Sequence, residues 1–587
     1  MVAALGAAAQ SEGGYNESVV VKGSYRPVIE QATKMTFPAV ISDSLGRLEH
    51  EFNYSISPSR LKALYEPSRL KAARIIGEPA TKLYNNYLRL GFGNYWTPLA
   101  DLYWSSTRDK KKTYGIRLNH LSSWGSLGKV GDEDLPDAVR NYGADHFGNT
   151  AVTLFGKYIV GEKLQLAADI GYEHDHNLYY GFNDSTLLSV MGVPRDSISI
   201  SDYRASYNVA TFNVGLRNMQ LDPDKFGYGA DLHLADLWGV YGQNELNVSA
   251  DGNVHYGFNV EDKYKGVVYL VVGWEGYWNT VGDADMPLGY NAALVADTFS
   301  GHIVRVNPYV DFLASGFQFH TGALVGWDGY SFRGNGPGFS IYPDVIVSRR
   351  LLGGRLALSL AATGGIDVSN WNTMRRTNPY IAPDVAGRAS SHYDFTFHTR
   401  WTLSRKLEMA AEVEYSIVDN DLSFQIDTDY ALRNVYRPAY FDDHRLSAGG
   451  TVTFVNDEML TLRAAGHYYH YDNVSLVNAD ELNDMTDYDK PLYRPDWDAS
   501  LAADVNYHDR WLFHLEGGLV GSMTADGGEV LPLRYGISAE VEYRHNRALS
   551  FFLRGDNLAF QRYWLWSNYP SQRGLVMAGL TYTIPTK

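Results

Sequence analysis

Two histidines, His174 and His176, stand two residues apart in the segment YEHDHN. Side chains two residues apart in an extended strand point to the same face, and two imidazoles on one face are a possible start of a zinc site. A structural zinc site needs four ligands and a catalytic one needs three. The sequence places no third ligand at a suitable spacing, so we predict no bound metal and no cofactor.

A second group of chemically capable side chains is the acidic segment NADELNDMTDYDK. A calcium-binding EF-hand loop requires a fixed ligand spacing and a central glycine, and this segment has neither. We interpret it as a solvated acidic loop, whose carboxylates are Asp480, Glu481, Asp484, Asp487 and Asp489. The chain also lacks a GxSxG motif, a P-loop and a GxGxxG turn between a strand and a helix. We therefore expect a protein that is not an enzyme.

Composition limits the compartment and the class of partner. The chain has 587 residues, no cysteine, 14% aromatic residues and a formal net charge of −16. The absence of cysteine is typical of an exported protein, because stray thiols mispair in oxidising compartments. The negative charge argues against a nucleic-acid partner, which requires a basic surface. No run of 18 apolar residues is present, which excludes a helical membrane span.

The elements that must position any site are strands, because apolar and polar residues alternate from Leu83 onward. In IVRVNPYVDFL, Val304, Val306 and Val310 share one face, while Arg305 and Asp311 lie on the other. The same alternation recurs in LQLAADIGYE and LTLRAAGHYYH. Because the polar face carries full charges, we expect it to face water or a wet lumen rather than a dry core.

The connections between strands alternate between short and long. Tight turns are predicted at 315–316, 405–406, 456–457 and 545–546, and long polar loops at 124–144, 177–203, 278–300, 367–390, 419–443, 472–495 and 559–573. This pattern is typical of an up-and-down antiparallel barrel with turns on one rim and loops on the other. We predict an all-β fold, a transmembrane antiparallel β-barrel of about 22 strands. A β-propeller would need a repeat of about 40 to 50 residues, and none is present.

Tyrosine and tryptophan cluster near the ends of the predicted strands, in segments such as GNYWTP, DLYWSS, EGYWN and RYWLWSNY. Rings with an apolar body and a polar edge are favoured where lipid meets water. Cross-strand aromatic pairing explains some of these residues, but it does not explain their position at strand ends. The clustering therefore predicts aromatic girdles at the two membrane interfaces.

The first 14 residues, MVAALGAAAQSEGG, end in an Ala-x-Ala pattern at Ala7 and Ala9. The pattern fits the cleavage end of a secretory signal without its basic start, and a disordered Ala-rich tail fits equally well. We divide the chain into this segment (1–14), an N-terminal extension (15–82) and an outer-membrane barrel (83–584).

The C-terminal segment LSFFLRGDNLAFQRYWLWSNYPSQRGLVMAGLTYTI resembles the last hairpin of TonB-dependent outer-membrane receptors. In that family a strand ends in an Asn-Leu pair, an aromatic loop carries Tyr-Pro, and a glycine-rich final strand alternates with aromatic residues. The resemblance is loose over the barrel region and more specific over the last 40 residues. The matching residues are Asn557, Leu558, Tyr563, Tyr569, Pro570, Arg573, Gly574, Gly579 and Tyr582.

The segment ESVVVKGSYRP is similar to the start of the plug domain of that family. Its matching residues are Val19, Val20, Val21, Gly23, Ser24, Arg26 and Pro27. A full plug of about 130 to 150 residues does not follow. The N-terminal extension is therefore either a reduced plug or contains no plug. Pro-Ser-Arg-Leu-Lys-Ala occurs twice, at 58–63 and 67–72. This basic segment either pairs with lumen carboxylates such as Asp311 or is a solvated periplasmic linker.

The resemblance implies a receptor or transporter in the cell outer membrane of a Gram-negative bacterium, with both termini periplasmic. It would contact outer-membrane lipid, bind an unknown solute and pass it across the membrane. Its partner would be TonB, or a lipoprotein or other protein that supplies a plug. The alternative is a non-transporting barrel that acts as a scaffold subunit or a surface-binding protein. A barrel of this size is normally filled, so we expect the extension, inward-folding loops or a partner to fill it.

Overall fold

A computed structural model describes residues 86–583, apart from 107–108, 110, 133–134, 162, 220–225, 261–263, 282–287, 289–297, 330–337, 458 and 478–485. Within these residues the chain forms 29 strands and two α-helices. The first strands and the first helix are β1 (Asn86–Gly93), β2 (Thr97–Ser105), β3 (Lys112–Ser123), β4 (Ser126–Asp132), β5 (Leu135–Ala144), β6 (Phe147–Val160), β7 (Leu164–Leu178), α1 (Asp184–Met191), β8 (Arg204–Asn218), β9 (Phe226–Gly239), β10 (Gln243–Val260), β11 (Tyr264–Val281), β12 (Thr298–Ala314), β13 (Phe317–Asp328), β14 (Gly338–Leu351) and β15 (Leu356–Ser369).

The elements that follow complete the same sheet and add strands in the loops. They are α2 (Trp371–Thr377), β16 (Arg388–Thr402), β17 (Leu407–Ile426), β18 (Tyr436–Asn456), β19 (Leu460–Leu476), β20 (Thr486–Tyr488), β21 (Trp497–Tyr507), β22 (Trp511–Val520), β23 (Met523–Thr524), β24 (Val530–Leu531), β25 (Arg534–Arg544), β26 (Leu549–Asp556), β27 (Trp564–Trp566), β28 (Tyr569–Pro570) and β29 (Leu575–Tyr582).

Twenty-two of the described strands form one closed antiparallel barrel, which confirms the predicted fold class. The ring closes where β1 pairs with β29, from Leu88 opposite Tyr582 to Gly93 opposite Met577. Gly579 lies in this seam, and a Cβ there would clash with the Leu90 carbonyl oxygen and the Phe552 ring. A residue without a side chain therefore allows the two ends of the sheet to meet. The other strands, β4, β5, β20, β23, β24, β27 and β28, lie in the connections.

Alternation along each strand separates an outer apolar face from an inner polar face. On β22, Phe513 and Leu515 are exposed on one face, while His514 and Glu516 lie on the other. The exposed apolar face is the surface that lipid covers in a membrane barrel. The described residues include no helix long and apolar enough to cross a membrane.

Exposed aromatic residues lie at both ends of this outer face, as the sequence predicts. Near the rim that carries the short turns they are Trp104, Tyr158, Trp401, Tyr507, Trp511 and Tyr582. Near the opposite rim, which carries the long loops, they are Trp96, Tyr172, Trp238, Tyr468, Trp497 and Tyr535. Two such rings are the aromatic girdles of a membrane barrel.

The alternation of short and long connections holds around most of the ring, but the links at 94–96 and 240–242 on the long-loop rim have only three residues each. The turns at 315–316 and 352–355 are short, while 370–387 and 557–574 are long and lie on the other rim. Asn86 and Tyr582, at the two ends of the described ring, both lie on the short-turn rim. The predicted loop at 419–443 is wrong in extent, because β17 continues to Ile426 and β18 begins at Tyr436. A register shift between Val418 and Asp421 allows pairing to continue past the polar residues that suggested a loop.

Candidate functional site

The largest buried apolar cluster lies at the loop rim and is built mainly from connections between strands. We call it the mouth cluster. Since long loops usually run over a protein surface, their convergence on a shared core indicates that they fold over the end of the barrel. Its members are Leu127, Val130, Tyr142, Leu178, Tyr179, Tyr180, Phe182, Leu187, Tyr203, Ala205, Tyr207, Val209, Ala235, Leu237, Tyr241, Leu288, Trp371, Met374, Tyr380, Ile381, Ala382, Val385, Phe424, Leu432, Val435, Tyr436 and Tyr569.

Three tyrosines from three different loops meet within the mouth cluster. Tyr180 follows β7, Tyr380 lies between β15 and β16, and Tyr569 lies between β26 and β29. The rings of Tyr380 and Tyr569 are stacked with their centroids 3.5 Å apart. The Tyr180 ring meets them edge-on, at 5.8 Å from Tyr380 and 5.0 Å from Tyr569. Such pairs add directional contact to the burial of aromatic area.

Hydrogen bonds tie the same loops to one another. The Tyr179 hydroxyl donates to the Ile381 carbonyl over 2.6 Å, and the Tyr180 hydroxyl donates to the Pro570 carbonyl over 3.0 Å. The Asn434 amide donates to the Tyr179 carbonyl over 2.8 Å. Every partner is buried, so each bond satisfies a group that would otherwise be costly to desolvate.

The connection between β15 and β16, residues 370–387, contributes the most to this arrangement; we call it the cap segment. It begins with the short helix α2, whose N-cap Asn370 accepts a hydrogen bond from the Thr373 backbone N–H. Trp371 and Met374 lie one turn apart on the buried face of α2. The helix ends before Pro379, because the residue preceding a proline disfavours the helical conformation.

Charged groups hold α2 against the inner wall of the barrel. Arg375, which is 2% exposed, lies with Nη1 2.7 Å from a carboxylate oxygen of Asp175 on β7. Arg376 contacts Glu173 on the same strand at 2.5 Å. Side chains alternate between the two faces of a strand, and Tyr172 is exposed on the outer face of β7. Glu173 and Asp175 therefore lie on its lumen face. The cap segment therefore lies inside the ring.

The first turn of α2 is anchored by a buried carboxylate of β10. Glu245 accepts hydrogen bonds from the backbone N–H groups of Trp371 at 2.6 Å and Asn372 at 3.2 Å. These two donors have no intrahelical partner at a helix start. The carboxylate therefore satisfies both donors, and its negative charge interacts favourably with the positive end of the helix dipole.

The far end of the cap segment is held by β18. Ile381 and Tyr436 form an isolated parallel bridge, in which the Ala382 N–H donates to the Tyr436 carbonyl over 2.7 Å. Asp384, 1% exposed, pairs with Arg437 at 3.0 Å. The cap segment thus spans from the wall at β7 and β10 to the wall at β18.

Several buried polar atoms of the cap segment have no hydrogen-bond partner within the described part of the chain. They are Trp371 Nε1, Arg375 Nε and Nη2, and Asn378 Nδ2, although Arg375 Nη2 lies 3.8 Å from a Glu173 carboxylate oxygen. Each such group costs about 1 to 3 kcal/mol relative to a hydrated one. The closed mouth is therefore stabilised by extensive apolar packing and destabilised by these buried polar groups.

Burial perturbs the ionisable groups of the loops. It raises the pKa of the Tyr180 and Tyr569 hydroxyls well above the ordinary tyrosine value, so both remain neutral donors at physiological pH. It also raises the pKa of Asp145, between β5 and β6, to about 6, although the Gln572 amide and the Arg562 guanidinium oppose the shift. Asp145 Oδ1 is buried without a hydrogen-bond partner among the described residues.

Polar and aromatic side chains line the lumen wall. His320 lies between two carboxylates, 2.6 Å from Asp311 and 2.9 Å from Asp344. The rings of His255, Tyr269, Tyr309 and His320 follow one another across four adjacent strands, with centroids 5.1, 4.6 and 4.5 Å apart. A recess of about 480 Å³ near the short-turn rim is lined in part by Lys265, Gln318 and His320.

The two histidines of the sequence lie side by side near the loop rim, with ring centroids 5.9 Å apart. Both are on the outer face of β7, and His174 Nδ1 is bonded to the Asn208 side chain at 3.0 Å. Among the described residues, no three His, Asp or Glu side chains are placed to hold a metal ion.

The C-terminal residues selected by resemblance take different places. Asn557 bonds through its amide to the Gln561 carbonyl, and Leu558 packs beside Gly555. Tyr569 and Pro570 take part in the contacts of the mouth cluster, and Gly574 packs closely against Phe560. Gly579 lies in the closure seam, and Tyr582 lies in the girdle near the short turns. The N-terminal residues Val19, Val20, Val21, Gly23, Arg26 and Pro27, with the whole of 15–82, lie outside the described residues.

Sequence reasoning missed the cap segment, because it assigned these residues to a long polar loop at 367–390. A signal was present: Asn370 is a suitable N-cap, and Trp371 and Met374 are spaced for one helical face. Tyr180 and Tyr380 gave no local signal, because their neighbours come from distant parts of the chain.

Solved structures of several receptors share this architecture. A mutant ferric enterobactin receptor of Pseudomonas aeruginosa, in complex with enterobactin, aligns with a TM-score of 0.60 and 10% identity, covering 86% of this chain and 82% of that one. The chain has the barrel fold of siderophore receptors. The ferric-catecholate import receptor Fiu of E. coli K12 aligns with a TM-score of 0.57 and 11% identity, over 86% and 82%.

The siderophore receptor PirA of Acinetobacter baumannii aligns with a TM-score of 0.59 and 8% identity, over 86% of this chain and 81% of that one. No protein-family profile matches the sequence, and no curated protein matches it. The likeness is therefore one of fold.

Proposed function

We propose that this protein is an outer-membrane receptor that binds a solute and passes it across the outer membrane. The observation that carries the proposal is a closed 22-strand ring with an apolar outer belt and a charged inner wall. A ring of this size is wide enough for a large solute. The solved receptors of the same fold, whose names describe siderophore binding and import, support the same function.

We further propose that passage is coupled to TonB and that the extension 15–82 takes part in it. The support is the resemblance of the N-terminal and C-terminal segments to TonB-dependent receptors. The proposal leaves the solute open, because no described loop carries a motif specific for a siderophore, a glycan or a peptide.

The test compares two strains, the source strain and a strain lacking this gene. For each strain, we measure which solutes disappear from a defined medium. We expect at least one solute, with ferric enterobactin included as a named probe, to remain in the medium of the deletion strain. A plasmid copy of the full chain should restore its uptake. A proton uncoupler should stop the restored uptake, because TonB coupling draws on the proton-motive force.

Identical depletion profiles in both strains, with outer-membrane assembly unchanged, would contradict transport. Restored uptake that continues in the presence of the uncoupler would contradict TonB coupling. The protein would then be interpreted as a passive channel. The matched control is a strain that lacks the gene and carries the empty plasmid.

A further inference from the structure

The mouth cluster joins loops from three well-separated places around the ring. The loop bearing Tyr180 leaves after β7, that bearing Tyr380 after β15, and that bearing Tyr569 after β26. Eight barrel strands separate the first from the second (β8 to β15), eight separate the second from the third (β16 to β26, without the loop strands), and six complete the ring (β29 to β7). Contact among these loops therefore requires each to reach inward from its own arc of the wall.

We propose that the mouth cluster is a permeability barrier of this barrel, and that the cap segment is its movable part. The barrier consists of the Tyr180, Tyr380 and Tyr569 contact and the hydrogen bonds around it. The chain thus seals the loop side of its own lumen with loops. The inference rests on the proposed outer-membrane location, but it is independent of the identity of the solute.

The cap segment is the part suited to move because it is continuous with the barrel only at its two ends, at β15 and β16. Between these ends it is held by noncovalent interactions, the Arg375–Asp175 and Arg437–Asp384 ion pairs among them. Water could reach and break these pairs as the segment lifts, without disturbing the hydrogen-bond ladder of the barrel.

The buried polar atoms without hydrogen bonds lower the free energy needed to open the cap segment. Trp371 Nε1, Arg375 Nε and Asn378 Nδ2 are buried without hydrogen-bond partners among the described residues when the segment is closed. Lifting the segment would let water bond all of them, and this hydration offsets part of the cost of exposing the apolar side chains. Elements that move are drawn from regions of low local stability, and the polar cost lowers the stability of the closed position.

The test is ion conductance in planar bilayers, with potassium chloride as the probe. Three forms are compared with the full chain: one with residues 371–384 replaced by a Gly-Ser linker of equal length, one without residues 15–82, and one with both changes. Each is first checked for the mobility shift on boiling that a folded barrel shows. We expect the intact chain and the form without 15–82 to remain closed.

We expect the form with both changes to conduct about tenfold or more above the intact chain, because an unfilled ring of this size leaves an aqueous channel. Equal conductance of this form and the form lacking only 15–82 would overturn the proposal, since the extension would then be the seal. A form with both changes that stays as closed as the intact chain would also overturn it.

A second variant keeps the test informative if the replacement prevents assembly. Tyr380→Ala with Tyr569→Ala removes the stacked pair but leaves the backbone intact, and we expect more frequent opening in the absence of 15–82. The matched control, Tyr468→Ala with Tyr535→Ala, removes two rings from the outer face and should stay closed. Equal opening frequencies in the two double variants would overturn the assignment.

These results separate the barrier from the proposed function. A form that opens when the cap segment is replaced supports the barrier even if the depletion profiles show no transported solute. A form that stays closed overturns the barrier even if transport is found.

Discussion

At the scale of single residues, the loop rim contains ionisable groups in two very different situations. Arg375 is fully buried, while its neighbour on the same helix, Arg376, has a side chain that is 54% exposed. Both contact carboxylates of β7. The two positions therefore separate a buried ion pair from an exposed one within a single turn of helix.

We expect Arg375→Met to destabilise the closed cap segment by about 3 to 5 kcal/mol, because it leaves the partly buried Asp175 carboxylate without its cation. Arg376→Ala should cost less than about 1 kcal/mol, as exposed pairs do. Hydrogen–deuterium exchange of residues 371–382 measures both effects. Exchange should rise about 100-fold or more for the first variant and change little for the second; similar changes in both would contradict the burial argument.

Asp145 provides a pH-dependent prediction. Its folded pKa of about 6 lies above its ordinary value of 3.8, so the folded loops bind its proton more tightly than the unfolded chain does. Its charge therefore destabilises the loops above about pH 6, and this cost disappears as the pH falls towards 3.8. We expect residues 560–574 to exchange more slowly at pH 5 than at pH 7.5, after correction for intrinsic rates.

Asp145→Asn is the control for that measurement, because the amide has a similar shape and does not titrate. It should slow exchange at pH 7.5 and remove most of the difference between the two pH values. A pH difference that persists in this variant would assign the effect to another group, such as His146, whose pKa burial lowers.

At the scale of the elements, each strand of the ring has one face in lipid and one in the lumen. On β15, Leu360 is exposed on the outer face, while Ser359 lies opposite His398 in the inner layer. Of two adjacent residues on one strand, one therefore faces lipid and the other faces water in the lumen. Only the lumen-facing position should tolerate a charge.

We expect Leu360→Arg to lower the free energy of unfolding by about 2 to 4 kcal/mol, as a cation on the lipid face does near the bilayer midplane. Ser359→Arg should lower it by less than about 1 kcal/mol, because the lumen hydrates the charge. Urea unfolding in lipid vesicles, followed by tryptophan fluorescence and by mobility on boiling, measures both. Equal losses would contradict the assignment of the faces.

At the scale of the whole molecule, the two rims differ in length of connection, and an outer-membrane barrel directs its long loops outward. The natural chain contains no cysteine, so a single introduced thiol reports on one rim only. We expect Ser185→Cys, in the loop after β7, to react with a membrane-impermeant maleimide on intact cells. Ser404→Cys, in a short turn, should react only after the cells are opened; the reverse pattern would contradict periplasmic termini.

The architecture was accessible from the sequence because strands in a membrane barrel obey a local rule. Alternation with period two, charges on the inner face and the order of short and long links are set by neighbouring residues. They indicated the number of strands and the rims, as the pairing from β1 to β29 confirms. Where polar residues accompanied a bulge, as at 418–421, the local pattern misplaced the end of the strand.

The sequence by itself determined the barrel, its girdles and the absence of cysteine, since each depends on residue type and local spacing. Only the tertiary structure decided what lies across the loop rim. Tyr180, Tyr380 and Tyr569 are separated by about 200 residues each along the chain, and their loops meet only because the strands between them form a closed ring. Arg375 likewise resembles a charged loop residue until α2 is placed against Asp175. Burial between distant segments has no local signature, so the mouth cluster could emerge only from the folded chain.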